Sequence, residues 1–548
     1  MLTAPGPDEA LSMAENSALL KYFPTELPVD VAPDLPSQQR RYLIDGRIEE
    51  WKGPMIDVYS PVCVQKDNSV EPVYLGSAPA MDEETAMRAL DAAARAWDRG
   101  NGLWPRLSAE QRIQAVHAFT KRMEERREEI VRWIVFEIGK PRSEAEKEFD
   151  RTTEYIRDTL NAVKEGARST ARFTVEQGIL AQIRRAPLGV VLCMGPFNYP
   201  LNETFATFIP ALVMGNTVLF KPPKNGILLY GPLLEAMAEC FPPGVVNTVY
   251  GDGPVVIPPV MRSGKVDVLA FIGSSRVADQ LKKEHPHPHK LRAILGMGAK
   301  NAAILLPDVK IESVIDECLR GALSYNGQRC TALKIFFVPR DKGEQFVEAF
   351  REKMASLSVG MPYVEGVQIT PLPIEGKSEY LQGLVDDAVS QGAVAYGGGY
   401  LGPLFLPAIL YPVKKGMKAY EEEQFGPVVP VVPYDDPEEA LDWIVESHYG
   451  QQASLFGEDP AQVAHFVDEL VHQVCRVNLN SQCQRGPDVF PFTGRKGSAE
   501  GTLSVSDALR AFSIRTLVAA KENDANRALL RKITEERLSS FISTDFLF

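Results

Sequence analysis

The chain has 548 residues, of which 45% are hydrophobic and 24% charged, and a formal net charge of −13. Such a composition is that of a globular protein, and the length suits two domains rather than one. Collagen-like and disordered classes are therefore excluded, and the acidic balance argues against a nucleic-acid partner. No apolar run reaches membrane-spanning length and no signal-peptide pattern is visible, so we expect no membrane partner. The 7 cysteines form no CxxC pair, which favours a reducing compartment and predicts a cytoplasmic protein.

The chain begins with an arm of about 40 residues, rich in proline and aspartate, that we expect to lie extended on the surface. Apolar residues at helical spacing then predict helices over 82–97 and 108–138. From residue 189 onward, short apolar strands alternate with helical stretches, which predicts a parallel, doubly wound sheet. The strands predicted for this sheet are 190–194, 217–220, 245–249, 266–271 and 302–306. A second alternation from 335 to about 480 predicts a second α/β domain.

Cys330 lies in the polar segment Tyr325-Asn-Gly-Gln-Arg-Cys-Thr331, between a helical stretch and a strand. A lone cysteine is most often an inert, buried, small side chain. Here Arg329 can stabilise the thiolate, which is the reactive form of cysteine. Taken by themselves, these residues leave a structural role and a nucleophilic role both open.

Three further segments each follow a predicted strand of the first sheet, where open α/β sheets bind their ligands. Asn198 lies in the first, Met194-Gly-Pro-Phe-Asn-Tyr-Pro200, and its amide can be directed at a developing oxyanion. Lys221 and Lys224 flank a double proline in the second and form a cationic spot suited to phosphate. The third is Phe271-Ile-Gly-Ser-Ser275. Each segment can equally be a simple turn, and the chain has no Gly-x-Gly-x-x-Gly motif.

In order and approximate spacing, these segments resemble the aldehyde dehydrogenase superfamily over residues 42–518. The shared landmarks are Pro-Phe-Asn-Tyr-Pro (196–200), Gly-Asn-Thr-Val (215–218), Lys-Pro-Pro (221–223), Gly-Ser (273–274), Gly-Gln-Arg-Cys (327–330) and Glu-Gln-Phe-Gly-Pro (423–427). Within the superfamily, the chain is most similar to the non-phosphorylating, NADP-dependent glyceraldehyde-3-phosphate dehydrogenases. That closer similarity rests on Tyr199, Arg329, Arg151 in the segment 150–154, and Arg485 in the segment 484–492.

The resemblance implies an α/β fold of the aldehyde dehydrogenase type and a cysteine thioester mechanism. It implies oxidation of glyceraldehyde 3-phosphate, or a close relative, to the acid with NADP, or alternatively NAD. The implied catalytic residues are Cys330 and Asn198, and the implied substrate-binding residues are Arg151, Tyr199, Arg329 and Arg485. The implied cofactor-binding residues are Lys221, Lys224, Gly273, Ser274, Glu423 and Phe425. Among them, Lys224 is expected to face the 2′-phosphate, which distinguishes NADP from NAD.

The resemblance also implies a domain layout. We expect an N-terminal arm (1–40), a cofactor-binding domain (41–324), a catalytic domain (325–500), an oligomerisation strand (501–520) and a C-terminal tail (521–548). A hairpin at about 168–186 and the strand are the family's oligomerisation elements, so we expect a homodimer or homotetramer.

One departure from the family concerns thioester hydrolysis. The family motif Glu-Leu-Gly-Gly-Lys, whose glutamate activates the water, corresponds to Gly296-Met-Gly-Ala-Lys300. Glycine cannot act as a general base, and loss of one typically costs about 10²–10⁴-fold in rate. The nearest upstream acid is Glu284, which precedes a His285-Pro-His-Pro-His289 insertion that we interpret as a loop rather than a metal site. Two alternatives remain open: an enzyme that transfers the acyl group to coenzyme A or phosphate, and a cofactor-binding protein with little turnover.

Overall fold

The computed structural model describes residues 18–544. The first part of the predicted arm, residues 1–17, and the end of the tail, residues 545–548, lie outside the described residues. The fold is α/β, with two large sheets that are each covered by helices.

The first sheet has six strands, five of which run parallel. Their spatial order is Val246–Thr248, Thr217–Lys221, Val190–Met194, Val268–Ile272, Arg292–Gly296 and the antiparallel Ala499–Glu500. The three strands at 190–194, 217–221 and 246–248 are buried throughout, as expected when helices cover both faces of a parallel sheet. The carboxyl ends of the strands 190–194, 217–221 and 268–272 bring the three loops predicted from the sequence to one edge.

The second sheet has seven strands and is parallel except for its first pair. Their order is Val394–Gly397, Ala408–Tyr411, Val428–Tyr434, Leu333–Pro339, Asn301–Leu305, Gln452–Phe456 and Arg476–Leu479. The prediction that the strand near residue 302 belongs to the first sheet is wrong, because Asn301–Leu305 pairs with Leu333–Pro339 and Gln452–Phe456. The second sheet therefore begins before residue 325. A short apolar strand fits either parallel sheet equally well, so its pattern does not indicate which one it joins.

A third, antiparallel sheet lies outside both cores. Ser513–Lys521 pairs along its whole length with Ile179–Pro187, and Thr174–Glu176 completes the sheet. Ile514 and Leu517 are exposed on its outer strand. The remaining strands form small sheets: Ser37–Gln38 with Ser69–Pro79 and Met55–Lys66, Arg41–Ile44 with Arg47–Glu50, Tyr400–Leu401 with Leu404–Phe405, and Tyr449–Gly450 with Arg495–Lys496.

Helices cover both sheets. The helices of the described residues are Glu83–Trp97, Leu103–Arg106, Ala109–Glu124, Arg127–Ile138, Arg142–Ser169, Asn202–Val213, Leu234–Cys240, Gly253–Arg262, Ser275–Glu284, Ile311–Leu323, Gly343–Ala355, Lys377–Ser390, Lys418–Glu421, Glu438–Glu446, Pro460–Leu470, Val505–Ala511 and Asp524–Glu535. None of the helices within residues 18–544 is both long and apolar enough to cross a membrane. The helix Asn202–Val213 is buried along its entire length and connects two central strands of the first sheet.

Candidate active site

The segment around Cys330 is held in one conformation by its backbone. Tyr325 and Asn326 both have left-handed φ angles, of 49° and 54°, which reverse the chain between the helix Ile311–Leu323 and the cysteine. The carbonyl oxygen of Cys330 accepts hydrogen bonds from Asn301 Nδ2 at 2.8 Å and from Lys334 Nζ at 3.1 Å. These bonds fix the cysteine at the start of the strand Leu333–Pro339.

Asn198 lies beside this segment. Its Nδ2 donates a hydrogen bond of 2.8 Å to the carbonyl oxygen of Gln328. A primary amide has two N–H donors, so the second remains available to a ligand. The oxyanion loop predicted from the sequence and the cysteine segment are therefore directly connected.

A buried ion pair that the sequence analysis missed supports the Asn198 loop from behind. Lys140 Nζ contacts the Glu148 carboxylate and donates a hydrogen bond of 2.7 Å to the carbonyl oxygen of Asn198. Glu148 Oε1 in turn accepts the backbone N–H groups of Leu201 and Asn202 at 3.0 and 3.1 Å, at the beginning of the helix Asn202–Val213. Sequence patterns carried no signal for this pair, because Glu148 lies within the charged segment 142–151 and the backbone groups that the pair supports are distant along the chain.

One acidic side chain, Glu203, is among the groups that shift the pKa of the Cys330 thiol. Burial raises the pKa of this thiol to about 11, and the Glu203 carboxylate raises it further. Lys334 and Arg485 oppose the increase because their positive charges favour the thiolate. Glu203 has the largest influence of these charged groups, and it was not among the residues predicted from the sequence.

Two of the predicted substrate-binding arginines meet at one carboxylate. Arg151 binds Asp488 through Nε and Nη2 at 2.9 and 2.8 Å, and Arg485 binds it through Nε at 3.1 Å. Arg485 also forms a buried ion pair with Glu203 through Nη1. Burial tends to raise the pKa of Asp488, but its bonds to Arg151 and the charge of Arg485 bring it below the usual value. Two positive and two negative charges therefore balance within this cluster.

The third arginine points elsewhere. Arg329 Nη2 donates to the carbonyl oxygens of Arg320 and Gly321, at 3.1 and 2.9 Å, at the end of a helix. No acidic side chain pairs with Arg329 in the described part of the chain. Burial raises the pKa of the nearby Tyr199 hydroxyl, and the positive charges of Arg329 and Arg151 oppose this rise. The predicted convergence of three arginines is thus partial, since Arg329 does not join the Asp488 cluster.

Lys221 and Lys224 lie at the edge of the first sheet where its parallel strands end. Lys221 is buried and donates to the carbonyl oxygen of Pro222 at 3.1 Å, and burial lowers its pKa to about 8. A buried ammonium has three donors, so two remain for the hydroxyl groups of a ligand. Lys224 is exposed and has no ion pair or hydrogen bond within residues 18–544. This edge therefore has unused donors, as a nucleotide cofactor requires.

Gly273 and Ser274 precede the helix Ser275–Glu284 at the same edge. Ser274 is its N-cap, and its hydroxyl accepts the backbone N–H of Val277 at 3.4 Å. The beginning of a helix presents unpaired N–H groups that suit a phosphate group.

Glu423 and Phe425 approach the cysteine from the second domain. Glu423 Oε1 accepts hydrogen bonds from Lys334 Nζ at 2.7 Å and from the backbone N–H of Ala299 at 3.2 Å. Phe425 has a left-handed φ of 44° and packs against Phe197, with ring centroids 5.9 Å apart. A bulky residue rarely adopts this backbone conformation, and its occurrence here marks a constrained segment.

Gly296 ends the strand Arg292–Gly296, and the position has room for a side chain. Its φ lies outside the left-handed region, and a Cβ would meet the side chain of Ile272 at 3.4 Å, an ordinary contact. The alternative acid Glu284 pairs with Arg262 at 3.2 Å on the outside of the domain. His285 in the insertion accepts the backbone N–H of His287 and contacts the carbonyl oxygen of Val266. No group of three potential metal ligands occurs in the described ranges.

Comparisons with known proteins identify the class of enzyme. It is that of the NAD(P)-dependent aldehyde dehydrogenases. The aldehyde dehydrogenase family model matches residues 61–518, and the chain belongs to this family.

Two relatives and two solved structures show how the chain compares within the family. The NADP-dependent glyceraldehyde-3-phosphate dehydrogenase of Streptococcus equinus is 33% identical, covering 87% of this chain and 98% of the relative. The protein of the same name from Pisum sativum is 29% identical, covering 86% and 92%. A solved structure of that enzyme from Bacillus halodurans, complexed with NADP, has a TM-score of 0.81 and 32% identity, covering 88% of this chain and 100% of that one. The Methanocaldococcus jannaschii structure, also with NADP, has a TM-score of 0.74 and 25% identity, covering 82% and 97%.

Proposed function

We propose that this protein oxidises a small phosphorylated aldehyde, glyceraldehyde 3-phosphate, to the corresponding acid with NADP. The observation that carries this proposal is the cluster in which Arg151 and Arg485 bind Asp488, with Arg485 among the charges that act on the Cys330 thiol. The names of the relatives and of the NADP-complexed structures support the same substrate and cofactor.

In this proposal, Cys330 is the nucleophile. Its thiolate attacks the aldehyde carbon and forms a carbon–sulfur bond, while the carbonyl oxygen becomes an oxyanion. The free N–H of the Asn198 amide and the backbone N–H of Cys330 donate hydrogen bonds to this oxygen. NADP, when bound, supplies the acceptor for the hydride that leaves the substrate carbon. The substrate then remains attached to Cys330 as a thioester.

The phosphate end of the substrate is assigned to Arg151, Arg485, Arg329 and Tyr199. Arg151 is 33% exposed and has N–H donors left over from its bonds with Asp488. Because Asp488 and Glu203 already balance Arg151 and Arg485, the unpaired charge of Arg329 supplies the excess that attracts an anion. We therefore expect a selective pocket with a modest net positive charge.

The cofactor is assigned to the edge of the first sheet. Lys221 and Glu423 would hold the ribose groups, and Ser274 with Gly273 the pyrophosphate at a helix N-terminus. Phe425 would pack against the nicotinamide end. Lys224 would bind the 2′-phosphate of NADP, a group that NAD lacks.

A second candidate function follows from Gly296, which offers no general base at the family position. In that case coenzyme A or inorganic phosphate would accept the acyl group. The two functions are separated by product analysis of NADP-dependent turnover, with and without each acceptor. The free acid formed in water alone at full rate supports hydrolysis, whereas acceptor-dependent turnover supports acyl transfer.

We also propose that the chain forms a homodimer or homotetramer through the strand Ser513–Lys521. Its exposed apolar side chains, including Ile514 and Leu517, favour burial against a second copy. Light scattering of the purified protein measures the assembly directly, and a monomer would contradict this proposal.

A further inference from the structure

The first observation is that the chain places Glu203 against the segment of the nucleophile. Glu203 follows the Asn198 loop, and Asn198 Nδ2 donates a hydrogen bond of 2.8 Å to the carbonyl oxygen of Gln328, two residues before Cys330. The Glu203 carboxylate is also among the charges that act on the Cys330 thiol. The other candidate acids are committed to different contacts. Glu284 pairs with Arg262 on the outside of the domain, and Glu423 pairs with Lys334 on the cofactor side.

The second observation is the position of Glu203 in the fold. It lies in the first turn of the helix Asn202–Val213, and its backbone N–H donates to the carbonyl oxygen of Tyr199 at 3.2 Å. Glu203 is only 7% exposed, and the rest of its helix is buried and mostly apolar. An ionisable side chain in such a helix is costly to bury, so its presence requires either a partner or a function.

The partner of Glu203 leaves part of the carboxylate available. Arg485 contacts Oε2, and Arg485 is itself held by Asp488. No hydrogen bond to Oε1 occurs in the part of the chain that the structure describes. Oε1 is therefore open to a hydrogen bond from a ligand or a water molecule.

We propose that Glu203 is the general base of thioester hydrolysis, in place of the glutamate that is missing at position 296. The oxygen of a water molecule attacks the thioester carbon while Glu203 takes one of its protons. The carbon–sulfur bond breaks, its electron pair returns Cys330 to the thiolate, and the second water proton leaves with the carboxylic acid, which ionises in solvent. Glu203 then releases its proton to solvent. This inference rests on the proposed hydrolytic function.

The test compares wild type, Glu203→Gln, and Glu203→Gln combined with Gly296→Glu. Glutamine keeps the shape of the side chain but cannot accept the proton. In Glu203→Gln we expect a burst of about one NADPH per active site followed by a steady state slower by about 10²–10⁴-fold. An acyl adduct on Cys330 should then be visible by intact mass. The double variant should regain at least part of the steady-state rate, because residue 296 has room for a side chain.

Three outcomes are decisive. An unchanged steady state in Glu203→Gln without an adduct would overturn the inference. Loss of the burst in a folded Glu203→Gln variant would also overturn the inference, because Glu203 would then be needed for acylation. If the glutamine variant does not fold, Glu203→Asp serves as the second variant. Asp488→Asn is the matched comparison, since it alters the same ion-pair cluster and should raise KM without adduct accumulation. If wild type makes no acid in water alone, the proposed hydrolytic function has failed instead, and this is visible before any variant is made.

Discussion

Asn198 donates a hydrogen bond of 2.8 Å to the carbonyl oxygen of Gln328, two residues before Cys330. This bond connects the loop at the end of a first-sheet strand with the segment that carries the nucleophile. The two groups that would act on the same carbonyl carbon and oxygen are therefore positioned by one contact between the domains. The Lys140–Glu148 ion pair behind the Asn198 loop is buried, and it holds the Asn198 side of this contact in place.

Cys330→Ser should abolish NADPH formation and leave NADP binding intact. The serine hydroxyl is a much weaker nucleophile than a thiolate at neutral pH. Stopped-flow absorbance and calorimetric titration with NADP measure the two properties separately. Cys475→Ser, at another half-buried thiol, is the control and should retain activity. Substantial turnover of the Cys330 variant would remove this residue from the mechanism.

Alkylation of Cys330 in the cofactor-free enzyme should become faster with pH well beyond the range of an ordinary thiol. Burial raises its pKa to about 11, so the reactive thiolate is scarce at neutral pH. Below the pKa, the thiolate fraction rises about tenfold for each pH unit. Iodoacetamide labelling between about pH 7 and 10, with Cys330→Ser as the blank, should show this slope without a plateau, whereas an ordinary thiol with a pKa of about 8.5 levels off within this range. A plateau below pH 8 would mean that nearby positive charges outweigh burial.

Lys224→Ala should weaken NADP binding by roughly 10–100-fold and leave NAD binding nearly unchanged. A charge-assisted bond to a phosphate is worth about 1.5–3 kcal/mol, and NAD lacks the 2′-phosphate. Calorimetric titration of both cofactors provides the ratio. Lys121→Ala, an exposed lysine on the helix Ala109–Glu124, should change neither affinity. Equal losses for the two cofactors would show that Lys224 does not distinguish them.

Arg151→Ala should raise KM for glyceraldehyde 3-phosphate by about 10–100-fold, and much less for unphosphorylated glyceraldehyde. The physical reason is the loss of guanidinium donors that only a phosphate can use fully. Arg157→Ala lies on the same helix, pairs with Glu124 at the surface and serves as the matched control. Similar losses for both aldehydes would assign Arg151 a structural role as the partner of Asp488.

The loops that carry Asn198, Lys221 and Ser274 could be predicted from the sequence because each follows an apolar strand. Parallel strands of one sheet end at the same edge, so sequence order translates into spatial proximity. The strand Asn301–Leu305 could not be placed correctly, because a buried apolar strand is compatible with either sheet. The pattern fixes the type of element and not its neighbours.

Sequence patterns could not predict which charged side chains of the site contact one another. Arg485 and Glu203 are 282 positions apart, and nothing in the spacing of either residue indicates that they form an ion pair. Arg329 was expected beside the other arginines, but it turns towards the end of a helix and donates to the carbonyl oxygen of Gly321, eight residues earlier in the chain. A buried acid in an apolar helix, as at Glu203, was the one available signal.

The most direct test of the account is the specificity of the wild-type enzyme with NADP. We predict that kcat/KM for glyceraldehyde 3-phosphate exceeds that for glyceraldehyde by at least about 10–100-fold, the value of one charged contact to the phosphate. The acid should form in equal amount to NADPH, with neither coenzyme A nor phosphate added. Equal kcat/KM values for the two aldehydes would contradict the proposed substrate, and NADPH formation that stops after one turnover without an acceptor would contradict hydrolysis.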